Sequence, residues 1–207
     1  MTLKLYLAKQ TIAYAVQLAL EECGAAHELV WLDFAGGEQT RAPYGGINPK
    51  RRVPALVTPQ GTLTETHAIL GWLDTQFPVG GLMPGDPWQR ARVDEMNLYL
   101  ASTMHVAHAH KQRGSRWSDD PDAIQTMRDK VAANMAASAA YIDQDVLTDS
   151  GPWVLGDIWS AADIYLFTVC RWLARDKVDI AGYPRLTAHH AAMLERPATA
   201  RVEAMHG

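Results

Sequence analysis

The chain has 207 residues, 48% of them hydrophobic and 20% charged, with a formal net charge of -4 at neutral pH. That length and apolar content suffice for one or two packed units, and no basic stripe interleaved with aromatics marks a nucleic-acid binder. No run of about 18 apolar residues occurs, so a membrane-spanning helix is not expected. The opening MTLKLYLAKQTIAYAVQLAL is broken by Lys9-Gln10-Thr11 and Gln17 and lacks a small-residue cleavage pattern. It is therefore read as part of a cytoplasmic protein rather than as a leader.

In chain order, Leu3 to Leu7 alternates and predicts a strand, and residues 12–23 predict an Ala- and Leu-rich helix ended by Gly24. Residues 27–32 predict a second strand, parallel to the first through a right-handed crossover. The Gly- and Pro-rich stretch 35–50 predicts an irregular helix or loop. Residues 55–57 and 62–64 predict a hairpin around Thr58-Pro59-Gln60-Gly61, and a helix follows from Thr66 to Phe77. Residues 78–86 have the composition of a linker. Beyond them the periodicity is helical over 87–112, 120–147 and from Ser160 to Arg175, with Gly151-Pro152 as a break and Pro184 and Pro197 opening two shorter helices. The expected organisation is a small α/β domain over 1–77 and an all-helical domain over 87–207.

Cys23 and Cys170 lie far apart inside helical segments, with neither a C-x-x-C pair nor a spaced metal set. They are expected to be buried core residues, which leaves no dithiol exchange.

The stretch carrying the most chemistry runs from Asn48 to Leu70. Pro54 opens a strand, where its missing N–H is tolerated at an edge or bend. A cis bond at Val53-Pro54 turns the Val53 N–H and C=O outward, free to pair with an extended peptide ligand. Glu65 and Thr66 stand just before an apolar helix. Thr66 is expected to cap it, the amides there to hold a ligand carboxylate, and Glu65 to hold a ligand ammonium. Ser160-Ala161-Ala162-Asp163 has the spacing of an N-capping box, a structural device.

With its Val-Pro-Ala-Leu turn, Gly-containing hairpin and Glu-Thr-His-Ala-Ile-Leu helix start, the chain resembles the glutathione transferase superfamily over essentially its whole length. The segment Leu5 to Ala13 looks most like the bacterial beta type. The resemblance implies a thioredoxin-like α/β N-terminal domain, an all-α C-terminal domain and a homodimer. It also implies glutathione as co-substrate: Val53 pairing by its backbone with the cysteinyl part beside Pro54, and Glu65 and Thr66 holding the γ-glutamyl end. Arg51 and Arg52 are candidates for the glycyl carboxylate.

In one respect the sequence departs from that pattern. The positions of the beta-type catalytic cysteine and the serine after it fall on Ile12 and Ala13, which neither donate nor attack. Three candidates remain for stabilising the glutathione thiolate. They are the Thr11 hydroxyl, whose other role is to cap the first helix, the Tyr6 phenol, and the backbone amides around Gln10 to Ile12. His105 matches a histidine that lines the beta-type site and is expected to wall the electrophile pocket or to take the thiol proton. His105 and His108 share a helical face, yet no further ligand is spaced beside them, so a metal ion is not expected. Lys111, Arg113, Arg116 and Trp117 read as a solvated helix end. The resulting expectation is conjugation of glutathione to a small hydrophobic electrophile, or related thiol or peroxide chemistry. Its rival is a non-catalytic glutathione-binding or scaffold protein.

Overall fold

A computed structural model describes residues 2–206. The chain divides into two compact units, Met1–Met83 with Leu194–Gly207, and Pro84–Met193.

The first unit is built on a four-stranded sheet of order β2-β1-β3-β4, comprising β1 (Leu3–Leu7), β2 (His27–Trp31), β3 (Ala55–Thr58) and β4 (Gly61–Thr64). Strand β1 runs parallel to β2 and antiparallel to β3, and β3 forms the expected hairpin with β4. Alternation along β1 buries Leu3, Leu5 and Leu7 at 5% exposure or less, while Lys4 and Tyr6 take the other face. Two helices connect these strands, α1 (Ala13–Glu22) and α2 (Ala42–Ile47), and a third, α3 (Thr66–Gln76), follows β4. The stretch from 35 to 50 thus holds α2 and a 3-10 turn, Glu38–Thr40. Helix α1 ends as the sequence requires: Gly24 takes φ 59, its N–H bonds to the Glu21 carbonyl, and the Ala25 N–H reaches back to Leu20.

Helix α1 is buried from Ala13 to Leu20, including Gln17, so its polar groups need partners. The C-terminal helix, Pro197–His206, supplies them. Tyr14 donates to Glu203 at 2.5 Å and Gln17 Oε1 meets His206 Nε2 at 2.7 Å. Just before that helix, Arg196 makes a bidentate pair with Glu22 at 2.6 and 2.9 Å.

The second unit is helical, with α4 (Pro87–Tyr99), α5 (His105–Arg113), α6 (Pro121–Tyr141), α7 (Ala161–Cys170) and α8 (Pro184–Leu194). Two of the expected long helices are interrupted. A π-helical segment, Leu100–Met104, separates α4 from α5, and another, Ile142–Val146, ends α6. The helix expected from Ser160 to Arg175 stops at Cys170 and continues as turns to Asp176. Every residue of α7 is buried, as expected of the helix at the centre of a bundle. Its start is the predicted capping box: Ala162 N–H donates to Ser160 Oγ, and Ser160 N–H donates to Asp163 Oδ2 at 2.8 Å. No helix among the described residues is long and apolar enough to cross a membrane.

Both cysteines are buried, at 4% exposure each. Burial, with smaller contributions from Asp74 and Glu22, pushes the Cys23 thiol up to about 11, and burial pushes the Cys170 thiol up as well. Neither is expected to react appreciably with a thiol reagent at about pH 8 in the native protein, and both should react once unfolded. Rapid native labelling of either would remove the structural role. The unfolded chain releases these protons near the ordinary 9.0, and the folded chain holds Cys23's until about 11. Stability conferred by the neutral thiols is therefore lost as pH rises through that window.

Candidate functional site

Strand register brings the chemistry-bearing segments to one end of the first sheet. Tyr6 pairs with Ala55, and Ala55 with Thr64. The loop leaving β1 toward Thr11, the Val53-Pro54 turn entering β3 and the Glu65-Thr66 step leaving β4 therefore share that end. At each, a non-glycine residue adopts positive φ: Gln10 at 60°, Arg51 at 54° and Glu65 at 70°. Such backbone is disfavoured by about 1–3 kcal/mol per residue and concentrates where geometry serves a ligand.

Val53-Pro54 is cis, as the peptide-pairing reading requires. The ladder of β3 begins at Ala55, so the Val53 N–H and C=O take no part in it. Behind the turn, the Arg52 carbonyl accepts two hydrogen bonds, from Tyr44 Oη at 2.5 Å and Asn48 Nδ2 at 2.6 Å. Asn48, 1% exposed, also accepts from the Lys50 N–H through Oδ1 at 3.0 Å, and its carbonyl takes the Arg51 N–H. Burial raises the Tyr44 phenol above its ordinary value, partly offset by Asn48, which keeps it a donor at neutral pH. The Tyr6 ring packs against Tyr44 with centroids 5.6 Å apart. Sequence pattern alone does not single out Tyr44 and Asn48. The one signal it offers is an Asn four residues before a carbonyl that must stay fixed.

At the third segment the capping expectation is corrected. Thr66 is the first helical residue of α3, not its cap; Glu65 holds the N-cap position and no side chain caps the helix. The positive φ of Glu65 places the chain this way, leaving Thr66 buried and Glu65 exposed. Glu65 accepts a hydrogen bond from Lys50 Nζ, fifteen residues earlier. Lys50, Arg51 and Arg52 form an exposed cationic run beside the turn.

At the start of α1, Thr11 Oγ donates to the Ala8 carbonyl at 2.8 Å and accepts a long 3.4 Å bond from Ala13 N–H. The N-cap position is Ile12's, again with no side-chain cap. Tyr14 and Ala15 amides bond to the Thr11 and Ile12 carbonyls, while the Thr11 and Ile12 amides take no part in these bonds. Ile12 is 6% exposed and Ala13 fully buried, so both serve the core.

His105 belongs to the second unit, at the first position of α5, just after the π-helical segment. Its ring meets Trp172 with centroids 4.9 Å apart, and His108 stacks on the same indole at 4.3 Å. His108 Nδ1 lies 2.5 Å from Asp176, whose fully buried carboxylate also accepts from Lys111 Nζ at 3.1 Å. His108 and Lys111 are thus anchored by Asp176 rather than free for a metal. Among the described residues no group of three or more His, Cys, Asp and Glu side chains is arranged to hold a metal ion.

Known proteins resemble this chain in sequence and fold. The profile of the glutathione S-transferase N-terminal domain matches residues 12–76, and that of the C-terminal domain matches residues 60–192. A crystal structure of a glutathione transferase homologue from Sulfitobacter, with bound glutathione, is 45% identical with a TM-score of 0.95, covering 99% of this chain and 98% of that one. Glutathione S-transferase GstA of Escherichia coli O157:H7 is 29% identical over 198 residues, 94% of each chain. Maleylacetoacetate isomerase of Pseudomonas aeruginosa is 27% identical over 183 residues, 86% of this chain and 84% of the isomerase.

Proposed function

The chain belongs to the glutathione S-transferase family, and from that premise we propose that it binds glutathione at the shared sheet end and joins it to a small hydrophobic electrophile. The observation that carries the reading is the turn before β3, where Val53 lies outside the ladder and the Arg52 carbonyl is held from behind by Tyr44 and Asn48. A strand-like peptide finds there a donor and an acceptor left out of the ladder.

In this reading the Val53 backbone pairs with the cysteinyl residue, Glu65 takes the γ-glutamyl ammonium, and the buried start of α3 at Thr66 takes its carboxylate. Arg52, exposed beside the turn, takes the glycyl carboxylate. Bound glutathione supplies a thiolate, which forms a carbon–sulfur bond as the electrophile releases its leaving group or a conjugated carbonyl accepts the electron pair. Thr11 holds that negative charge by turning its hydroxyl proton from Ala8 toward the sulfur, assisted by the Thr11 and Ile12 amides and the positive end of α1. Tyr6, packed on Tyr44, is the alternative donor. The reading extends to a cytoplasmic homodimer with a detoxifying role, with glutathione bound by the domain over 1–77.

A second reading, a glutathione-binding protein without turnover, is favoured by Ile12 and Ala13 in place of an attacking side chain and by the Thr11 proton already being used on Ala8. Calorimetric glutathione binding alongside assays on an aryl halide, a hydroperoxide and a cis-enedione separates the two. Binding with turnover is expected, with Thr11→Ala losing about 10–100-fold in kcat and Tyr6→Phe much less. Binding with no turnover on any of the panel leaves the second reading standing. Glu65→Ala should abolish retention on immobilised glutathione, and unchanged retention would remove its role.

A further inference from the structure

The last turn of the C-terminal helix rests on one buried side chain. Gln17 lies fully buried at the middle of α1, and the two ends of its carboxamide go to successive residues of that turn. Its Nε2 donates to Met205 Sδ at 3.2 Å, and its Oε1 meets His206 Nε2 at 2.7 Å. The His206 ring stands edge-on to Tyr14 and Trp31, with centroids 4.9 and 5.0 Å away. A thioether is a weak acceptor, yet here it serves a buried amide. The same sulfur belongs to a residue 47% exposed, whereas Met96, Met104, Met135 and Met193 are buried and Met83 and Met127 partly so. Among the described methionines Met205 is therefore the most open to an oxidant. Both cysteines are buried with their thiols pushed up, which leaves the Met205 thioether as the accessible oxidisable sulfur.

We propose that Met205 is a peroxide-sensitive modification site whose oxidation unfastens the end of the C-terminal helix from α1. The reaction is a two-electron oxygen transfer from a hydroperoxide. A sulfur lone pair forms the S–O bond as the O–O bond breaks, and the proton on the transferred oxygen passes to the departing one. The products are the sulfoxide and an alcohol, or water where the oxidant is hydrogen peroxide. One lone pair of the sulfur is taken by the Gln17 amide, so the oxygen adds on the side facing solvent. The sulfur of a sulfoxide carries positive charge and no longer accepts from an N–H. Gln17, fully buried, cannot turn to water instead, so its donor is left unmet. The turn that sets His206 against Tyr14 and Trp31 then loosens. Reduction of the sulfoxide restores the acceptor, which makes the contact reversible.

The test treats the native full chain with hydrogen peroxide. Peptide mass spectrometry follows the oxidation, and backbone hydrogen exchange over residues 202–206 follows the helix end. Met205 should take up one oxygen ahead of Met83 and Met127. Exchange across the last turn should then rise about three- to tenfold, the scale of one lost hydrogen bond. Methionine sulfoxide reductases should return both readings to their starting values. Met205→Leu keeps the apolar bulk without the acceptor, so its exchange should match that of the oxidised chain before peroxide and stay there after it. Earlier oxidation of Met83 or Met127 overturns the proposal. So does unchanged or slowed exchange in the Met205 sulfoxide, or a Met205→Leu chain that peroxide loosens further.

Discussion

Asp163→Ala is expected to cost about 3–5 kcal/mol of stability, well beyond the loss of an ordinary helix cap. Asp163 is fully buried and accepts from two backbone amides, Val154 N–H at 2.7 Å and Ser160 N–H at 2.8 Å. It also lies 3.3 Å from Ser160 Oγ and 3.2 Å from Nε2 of His189, itself fully buried. Alanine leaves both amides without an acceptor in a dry interior, at about 1–3 kcal/mol each, and removes the charge beside the His189 imidazole. The loss falls on the start of α7, the helix buried on every side, so it spreads through the second unit rather than fraying an end. Ser160→Ala, which removes the hydroxyl that accepts from the Ala162 amide and donates weakly to Asp163 Oδ2 but leaves both backbone amides their carboxylate acceptor, should cost about 1 kcal/mol. Urea unfolding followed by circular dichroism measures both. An Asp163→Ala loss no larger than that of Ser160→Ala would show that the carboxylate is not the keystone of this turn.

What the sequence disclosed and what it hid divide along a physical line. Features set by residues within a few positions of each other were legible: the alternating β1, the Gly-ended α1, the Thr58 to Gly61 hairpin and the Ser160–Asp163 box. The likeness of Val53 to Leu70 to a known family belongs with these, being a local run. Contacts between distant residues were not legible. Nothing in the neighbourhood of Tyr14 or Gln17 announces Glu203 or His206 as partners nearly two hundred residues later. Nor does the spacing of Lys50 and Glu65 reveal their pairing, since it depends on how the hairpin folds back. The Thr66 expectation failed for a subtler reason. Capping preference favours Thr over Glu, but Glu65 at positive φ starts the helix one residue early in the chain's path, and propensity yields to that geometry. The π-helical interruptions, Leu100–Met104 and Ile142–Val146, leave the apolar periodicity almost unaltered and so escape a period-based reading.

Asn48→Ala is expected to weaken glutathione binding about 10–100-fold while lowering stability by only about 1–3 kcal/mol. The two consequences separate because the side chain is a brace rather than a contact. Its amide donates to the Arg52 carbonyl and its oxygen accepts the Lys50 N–H, so it ties both ends of the Lys50-Arg51-Arg52 run that leads into the cis turn. With the brace gone, Tyr44 still donates to Arg52, which limits the loss of stability. The run itself is then free to leave the left-handed backbone of Arg51, and the Val53 N–H and C=O lose their fixed direction. Ligand binding must then restore that order from its own binding energy. Asn48→Asp discriminates further. It keeps the acceptor for Lys50 but turns a carboxylate oxygen toward the Arg52 carbonyl, so affinity should fall at least as far as in the alanine variant. Tyr44→Phe removes the other donor and should be milder, with the double variant losing more than the sum, since both bonds hold one oxygen. Calorimetry of glutathione binding with parallel thermal melts reads all four. Affinity that falls only in proportion to stability, or that survives Asn48→Asp, would mean the turn holds its shape without the brace.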